Sequence, residues 1–341
     1  MYGFILIAFG KNIIAFLKMN NKTVESEAYI YLVINAFVLF FNFFNSMYIR
    51  ILSSYGNNSF SFKISFIGVI INILLDPLFI YTFNMGVKGA GIATLIANIA
   101  MFILFLVRAK EIISYDFKIK IRFNIIKEII ILGIPNSAQR ILFTFINIYL
   151  ARIIAQYGSN AIAAQKIGLQ IEAVTYMVIG GLYGAVSSFT GQNFGAKKYQ
   201  RIKKGYHISI FIGIIYSGIM TLVFIFLNKD IVKLFINEEA VLLIGAEYLR
   251  IIAFSEIFST AEMVSNGFFT GIGKPFISSI ISIIFTAMRI PMALILIKYY
   301  GLNGVWISIS LSSILKGITA YSMYLIEKPK LDLKKDEVYV K

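Results

Sequence analysis

The chain has no cysteine and a single histidine in 341 residues. The first absence excludes a disulfide scaffold and any thiolate metal site. The histidine, His207, lies in a basic segment that opens an apolar run, where a solvated role is expected. A glycine loop ending in Lys and Ser/Thr, which would cradle nucleotide phosphates, is also missing, so ATP-driven chemistry is not expected. Charge is scarce too: Asp, Glu, Lys and Arg make up 14% of the residues, against about a quarter in soluble domains. An ordinary water-soluble domain is excluded.

What fills the chain is apolar. Hydrophobic residues reach 58% and the mean hydropathy is +0.79. Runs of about 20 apolar residues, the length that crosses a hydrocarbon core of about 30 Å, occupy 29–52, 62–83, 89–107, 125–156, 160–189, 204–227, 240–268, 276–297 and 303–326. Phe4–Leu17 adds a shorter one. Met1–Leu17 lacks the leading basic residues and the small-residue cleavage site of a signal peptide, and reads as part of a helix. The expected fold class is therefore an all-α integral membrane protein with about nine full transmembrane helices plus a partial one.

The net charge of +15, from 32 basic and 17 acidic residues, would suggest a nucleic-acid partner in a soluble protein. Here it sorts by loop. One set of alternate connections, with the C-terminal tail, receives 19 of the basic residues, among them Lys197, Lys198, Arg201, Lys203 and Lys204. The other set receives seven, and six lie within spans. That asymmetry is the positive-inside pattern, so no nucleic-acid partner is expected and the C-terminus is placed in the cytoplasm.

The chain also repeats itself. Tyr31-Leu32-Val33-Ile34-Asn35-Ala36-Phe37 matches Tyr248-Leu249-Arg250-Ile251-Ile252-Ala253-Phe254 at five of seven positions, at an offset of 217. The same offset carries Gly56 onto Gly273 and Ser61 onto Ser278. Two residues of slippage later, Gly86 and Gly89 fall on Gly301 and Gly304. Apolar composition explains chance Ile and Leu matches, but not Gly, Ser and Tyr recurring in register. Repeats of several membrane helices are how many secondary transporters are built.

In order along the chain, several segments resemble the multidrug and toxic compound extrusion (MATE) family. Asn72, Asp76-Pro77 and Gly86, Gly89-Ala90-Gly91 look like its fifth and sixth helices. Gly133-Ile134-Pro135 opens a likeness to its seventh, and Gly158 with Ala161-Ile162-Ala163-Ala164 to its eighth. Gly191-Gln192-Asn193-Phe194-Gly195-Ala196 closes the eighth, and Gly267, Gly271 and Gly273-Lys274-Pro275 mark the turn from the tenth to the eleventh. The resemblance implies a two-lobe helical bundle around a central cavity. Its N-terminal lobe is incomplete at 1–108, holding part of helix 3 and helices 4–6. A cytoplasmic linker at 109–124 precedes a complete C-terminal lobe at 125–327, helices 7–12, and a basic tail at 328–341. About 100 residues, two helices and most of a third, are expected to be absent from the first repeat.

By that resemblance the chain is a secondary active transporter and not an enzyme. It would export small organic cations or drugs from a bacterial-type cell, across the inner membrane, in exchange for Na⁺ or H⁺. No other cofactor and no resident metal are implied, its surroundings are membrane lipid, and it is expected to be monomeric. The competing readings are a lipid-linked oligosaccharide flippase of the same superfamily, which calls for a more cationic cavity, and a gene fragment that transports nothing. A membrane-embedded acyl or glycosyl transferase would need a cluster of acids or histidines at one face, and none is offered.

Ionisable groups inside spans are costly, at least about 2.5–3.5 kcal/mol at the bilayer centre, so the few present are the candidate site. Glu172, Glu256 and Glu262 are the candidates for the coupling ion. Glu256 and Glu262, six residues apart on a helix, point about 120° apart and cannot share one site. Their bland alternative is a structural ion pair with Arg140 or Arg289. Gln139, Asn147, Gln165 and Gln170 are candidate cavity-lining groups, or else links between neighbouring helices. Pro135, Gly180, Gly181 and Gly184 are candidate hinge or close-packing positions. Asp76, before Pro77, is expected to serve backbone groups that the proline disturbs. No Asp or Glu occurs between Ile129 and Ala155, a departure from family members that carry an acid in the seventh helix.

Overall fold

The computed structural model describes residues 2–16, 22–108, 110 and 122–339, and the chain divides into two units, Met1–Lys120 and Ile121–Lys341. Unit 1 contains α1 (Tyr2–Phe16), α2 (Lys22–Ser54), α3 (Asn58–Pro77) continued by a π-helical turn (Leu78–Thr82), and α4 (Gly86–Arg108). Unit 2 contains α5 (Phe123–Ala155), α6 (Ser159–Gly195), α7 (Tyr199–Phe226), α8 (Asn228–Lys233), α9 (Glu239–Ala253), α10 (Glu256–Gly271), α11 (Pro275–Ala287), α12 (Arg289–Tyr300) and α13 (Leu302–Tyr339). No strand occurs among the described residues. Most of the 109–124 linker lies outside them, while the segment after residue 327 continues α13 as helix to Tyr339.

Among the described residues, eight helical segments are long and apolar enough to cross a membrane. The ninth expected span, 240–268, is present but broken: α9 and α10 have 15 and 16 residues, about 23 and 24 Å at 1.5 Å per residue, so neither crosses alone. The outward surface is apolar, with Phe37, Phe40 and Phe43 on α2, Ile129 and Ile131 on α5, and Phe211 and Phe226 on α7 all exposed. The interior of α10 is instead polar, burying Glu256, Ser259, Thr260, Glu262 and Ser265. This inversion suits a chain dissolved in lipid, where the backbone must be satisfied internally and polar side chains gather away from the acyl chains.

The sequence repeat is a repeat of structure. An offset of 217 carries α2 onto α9 and α10 together, Lys22–Ser54 onto Glu239–Gly271, and the start of α3 at Asn58 onto the start of α11 at Pro275. Gly56 and Gly273, at φ of 81° and 75°, turn the chain in the left-handed region at the same point of each unit, as do Gly86 and Gly301 at 53° and 55°. A further correspondence is steric. A Cβ on Gly89 would stand 2.7 Å from the Phe79 backbone, and one on Gly304 would stand 2.5 Å from the backbone of Leu296. Both pairs of helices therefore meet backbone to backbone.

In unit 2, α10 is the central helix, lying against α6, α7, α11 and α13. Glycines allow this. A Cβ on Gly267 or Gly271 would stand 2.8 Å from a carbonyl oxygen of α6, at Tyr183 and Ser187, and one on Gly317 of α13 would stand 2.3 Å from Phe258 O. Two apolar clusters flank the polar stretch. One gathers Ile146, Leu150, Phe224, Leu249 and Trp306, and the other Tyr206, Phe268, Phe269 and Tyr324.

Candidate functional site

Two helix breaks set up the site. Between α9 and α10, Phe254 and Ser255 form a turn, and Ser255 bonds back to Ile252 O through both its N–H and its hydroxyl, each at 2.8 Å. The neighbouring Ala253 carbonyl receives Thr221 Oγ1 of α7 at 3.1 Å, which meets the need for an internal partner in lipid. Glu256 is the first residue of α10 and thus sits directly at the break. The second break lies at Met288, between α11 and α12. Pro291 explains it: without an N–H it cannot bond the Ala287 carbonyl, and its ring crowds that turn. Arg289 opens α12 there.

Three of the sequence candidates are buried, and they separate into two groups. Glu172 of α6 and Glu256 of α10 lie within electrostatic reach of each other. Glu172 Oε2 accepts the Tyr248 hydroxyl at 3.0 Å. The Tyr248 ring can lie there because residue 168, one turn before Glu172, is glycine; a Cβ would stand 2.2 Å from Cδ1 of that ring. Trp306 packs edge-on against Tyr248, with ring centroids 5.3 Å apart, and its indole N–H donates to Gln165 Oε1 at 2.8 Å. Glu256 is fully buried, and neither of its carboxylate oxygens has a hydrogen-bond partner. One turn on, Ser259 accepts the Tyr176 hydroxyl at 3.4 Å instead.

Glu262 forms the other group. Its Oε2 pairs with Lys316 Nζ of α13 at 3.1 Å, and its Oε1 accepts Ser282 Oγ of α11 at 2.8 Å. The ion pair is thus made with Lys316, and not with the arginines named as partners from sequence: Arg140 is exposed. Arg289 is buried but donates to Ser312 Oγ at 2.6 Å and Ser313 Oγ at 3.2 Å, with Phe143 5.8 Å away. Outside this interior, Lys274 and Glu327 pair at 2.6 Å and tie the α10–α11 turn to α13.

The remaining candidates fall apart. Gln165 is engaged by Trp306, Gln139 is half-buried, and Asn147 and Gln170 are exposed in unit 2. Pro135 lies within an α5 that runs unbroken from Phe123 to Ala155, so the hinge-like breaks are at Ser255 and Met288 and not there. Nothing lies within 4 Å of a Cβ built on Gly180, Gly181 or Gly184. Close helix approach is made by Gly168, Gly267, Gly271 and Gly317 instead. In unit 1, Asp76 is bonded by the Asn72 side chain at 3.3 Å and, among the described residues, bonds no backbone group. Sequence reasoning named Arg289 only as a possible ion-pair partner of these acids and passed over Tyr248 and Gly168 as parts of the site. Of the signals available, Pro291 marked the break at Arg289, whereas nothing local marked the other two.

The site offers hard oxygen donors in a buried interior, suited to a proton or an alkali cation rather than a soft metal. The MatE family model matches residues 1–78 and 135–295. The chain is 27% identical over 299 residues to the Bacillus subtilis (strain 168) protein named "Probable multidrug resistance protein YoeA", covering 83% of this chain and 64% of that one. It is 26% identical over 283 residues to the multidrug export protein MepA of Staphylococcus aureus (strain COL), covering 81% and 62%. It therefore spans less than two thirds of the length of these relatives. The fold superposes on the Vibrio cholerae MATE transporter VcmN in its bent form with a TM-score of 0.87 at 20% identity, over 97% of this chain and 76% of that one. A MOP superfamily transporter from Pyrococcus furiosus, described as having a binding pocket of reverse polarity, gives 0.86 at 24% identity, over 97% and 76%. With the model matching most of both units, the chain is a multi-pass membrane protein that belongs to the MatE family of multidrug and toxic compound extrusion transporters.

Proposed function

We propose that unit 2 binds a monovalent cation, Na⁺ or H⁺, at Glu172 and Glu256, and that its movement drives export of organic cations by exchange. The observation that carries this is the state of Glu256: a fully buried carboxylate, at a helix break, with neither oxygen partnered and a second carboxylate within electrostatic reach. Burying such a group costs several kcal/mol. A structural role would have supplied a donor, as Lys316 does for Glu262. Broken helices of this kind hold coupling ions in other transporter folds. Glu262 is assigned to the ion pair, and Gln139, Asn147 and Gln170 remain candidate contacts for the organic cation. The protein works in a bacterial-type cell membrane as a monomer surrounded by lipid, with its C-terminus in the cytoplasm, as the 19-to-7 loop asymmetry of basic residues supports.

The test is uptake or extrusion of a fluorescent organic cation by proteoliposomes holding the chain under an imposed Na⁺ or pH gradient. Glu172→Gln and Glu256→Gln are each expected to abolish dependence on the gradient while leaving the protein folded. Unchanged ion dependence in both variants would remove these residues as the coupling site.

A further inference from the structure

Arg289 is buried, yet it forms no ion pair with any carboxylate among the described residues. Its described hydrogen bonds are the two neutral ones to Ser312 and Ser313, so much of the five-donor guanidinium is unused. Its electrostatic neighbours are Glu172 and Tyr176 of α6, Tyr248 of α9 and Glu262 of α10, with Lys316 of α13 nearby. Glu262 has both oxygens occupied, by Lys316 and Ser282. Glu172 has Oε2 on Tyr248 and no described partner on Oε1. The carboxylate open to Arg289 is therefore Glu172.

Charge counting gives the arrangement a direction. Among the described residues, the buried charges linked to one another here are Glu172, Glu256, Glu262, Arg289 and Lys316, three acids to two bases, with buried Lys203 and Glu327 adding one of each sign. One more monovalent cation balances them. With that cation on the Glu172–Glu256 pair, the guanidinium rests on the serines. Once it leaves, two carboxylates within electrostatic reach of each other stand uncompensated in a low dielectric, and the unpaired positive charge that acts on one of them, Glu172, is Arg289. Its position helps: it opens α12 at a break where Pro291 has already removed a backbone hydrogen bond.

We propose that Arg289 is a built-in replacement for the coupling cation, held by Ser312 and Ser313 while the ion is bound and moving onto Glu172 when the ion leaves. This rests on the reading of Glu172 and Glu256 as the coupling site. Arg289 is then a positioning residue that competes with the ion. It keeps the empty site from trapping itself in a highly charged state and sets how tightly the ion is held.

Trp306, the only tryptophan in the chain, packs on Tyr248, which bonds Glu172. Its emission is thus a binding readout that needs no transport. Purified protein in nanodiscs would be titrated with NaCl at fixed pH against choline chloride, and separately with acid at fixed salt. The parent should show a saturable change with one ion, lost in Glu172→Gln and in Glu256→Gln. If the parent does not titrate with either ion, or the glutamine variants titrate like the parent, the coupling site itself is wrong and the Arg289 proposal falls with it.

If the site holds, Arg289→Gln should bind the ion at least about tenfold more tightly and Arg289→Lys should stay near the parent. A fixed positive charge would give the same tightening on removal. The double variant Ser312→Ala/Ser313→Ala separates the two ideas, because it keeps the charge and removes only the resting place. Competition predicts severalfold weaker ion binding there, and a fixed charge predicts no change. An unshifted serine double variant, or an Arg289→Gln protein that folds and binds no more tightly than the parent, overturns the proposal. Should Arg289→Gln fail to fold, the serine variant decides alone.

Discussion

The Tyr248 hydroxyl reaches Glu172 at 3.0 Å by lying across the bare backbone of Gly168, four residues earlier on the same helix. A methyl group at 168 would occupy the ring's position. Gly168→Ala is expected to destabilise by about 1–3 kcal/mol through overpacking, although alanine favours the helix, and to shift Trp306 emission as the ring moves. Reversible unfolding in mixed micelles measures the first, and the emission spectrum the second. A variant as stable as the parent with unchanged emission would contradict the contact.

Lys316→Met should be among the most damaging single changes in unit 2. It strands Glu262 without its counter-ion, which costs about 3–5 kcal/mol when a buried pair is broken. Adding Glu262→Gln should recover most of that loss, since the desolvation of both charges is then avoided. The recovery is the informative result: a double variant as unstable as Lys316→Met alone would mean that the pair is not the source of the effect.

Glu256→Gln should move stability the other way. It removes a fully buried carboxylate that has no hydrogen-bond partner. In the ion-free protein, unfolding stability should rise by at least about 1 kcal/mol while the ion titration is lost. A fall in stability would show that the carboxylate has a structural partner.

Thr221→Val deletes the hydroxyl that serves the Ala253 carbonyl at the α9–α10 break. The shape is nearly kept, but a buried carbonyl is left unpaired, at about 1–3 kcal/mol. Amide exchange across Ile252 to Ser259 should quicken in this variant, with the rest of α10 unaffected.

The helices and their repeat were legible because both are written in short-range signals: apolar runs of membrane length, and Gly56, Gly86, Gly273 and Gly301 at left-handed turns. The angular argument separating Glu256 from Glu262 was also legible, since it needs only helix geometry, and the two acids do lie in different surroundings, Glu262 bonded to Ser282 and Lys316 and Glu256 unbonded within electrostatic reach of Glu172. What the sequence hid was choice of neighbour. Nothing local distinguishes Lys316 from Arg140 as the partner of Glu262, because that depends on how α10 and α13 pack. Gly180, Gly181 and Gly184 make a denser glycine signal than Gly168, yet Gly168 is the one that a neighbouring ring covers. Of the two breaks, the one at Met288 has a local cause in Pro291, which reading 276–297 as one span passed over, whereas the turn at Ser255 combines local bonds to Ile252 O with a tertiary one from Thr221 to Ala253 O.

The two units clasp equivalent helices differently. Subtracting 217 from Glu262 gives Asn45, whose amide N–H donates to the Asn98 backbone carbonyl on α4 at 3.0 Å and to the Asn98 side-chain oxygen at 3.4 Å, while Glu262 itself grips Lys316 on α13. For mutation and inheritance these clasps are not alike. The amide clasp can be eroded singly: replacing Asn98 leaves the backbone acceptor in place, and replacing Asn45 costs only the modest sum of neutral hydrogen bonds. The ion pair can be lost only through an intermediate that carries a stranded charge. Changes in unit 1 can thus accumulate singly, whereas substitutions at Glu262 and Lys316 must arrive together, which makes the pair strongly epistatic and a natural anchor for the electrical character of unit 2.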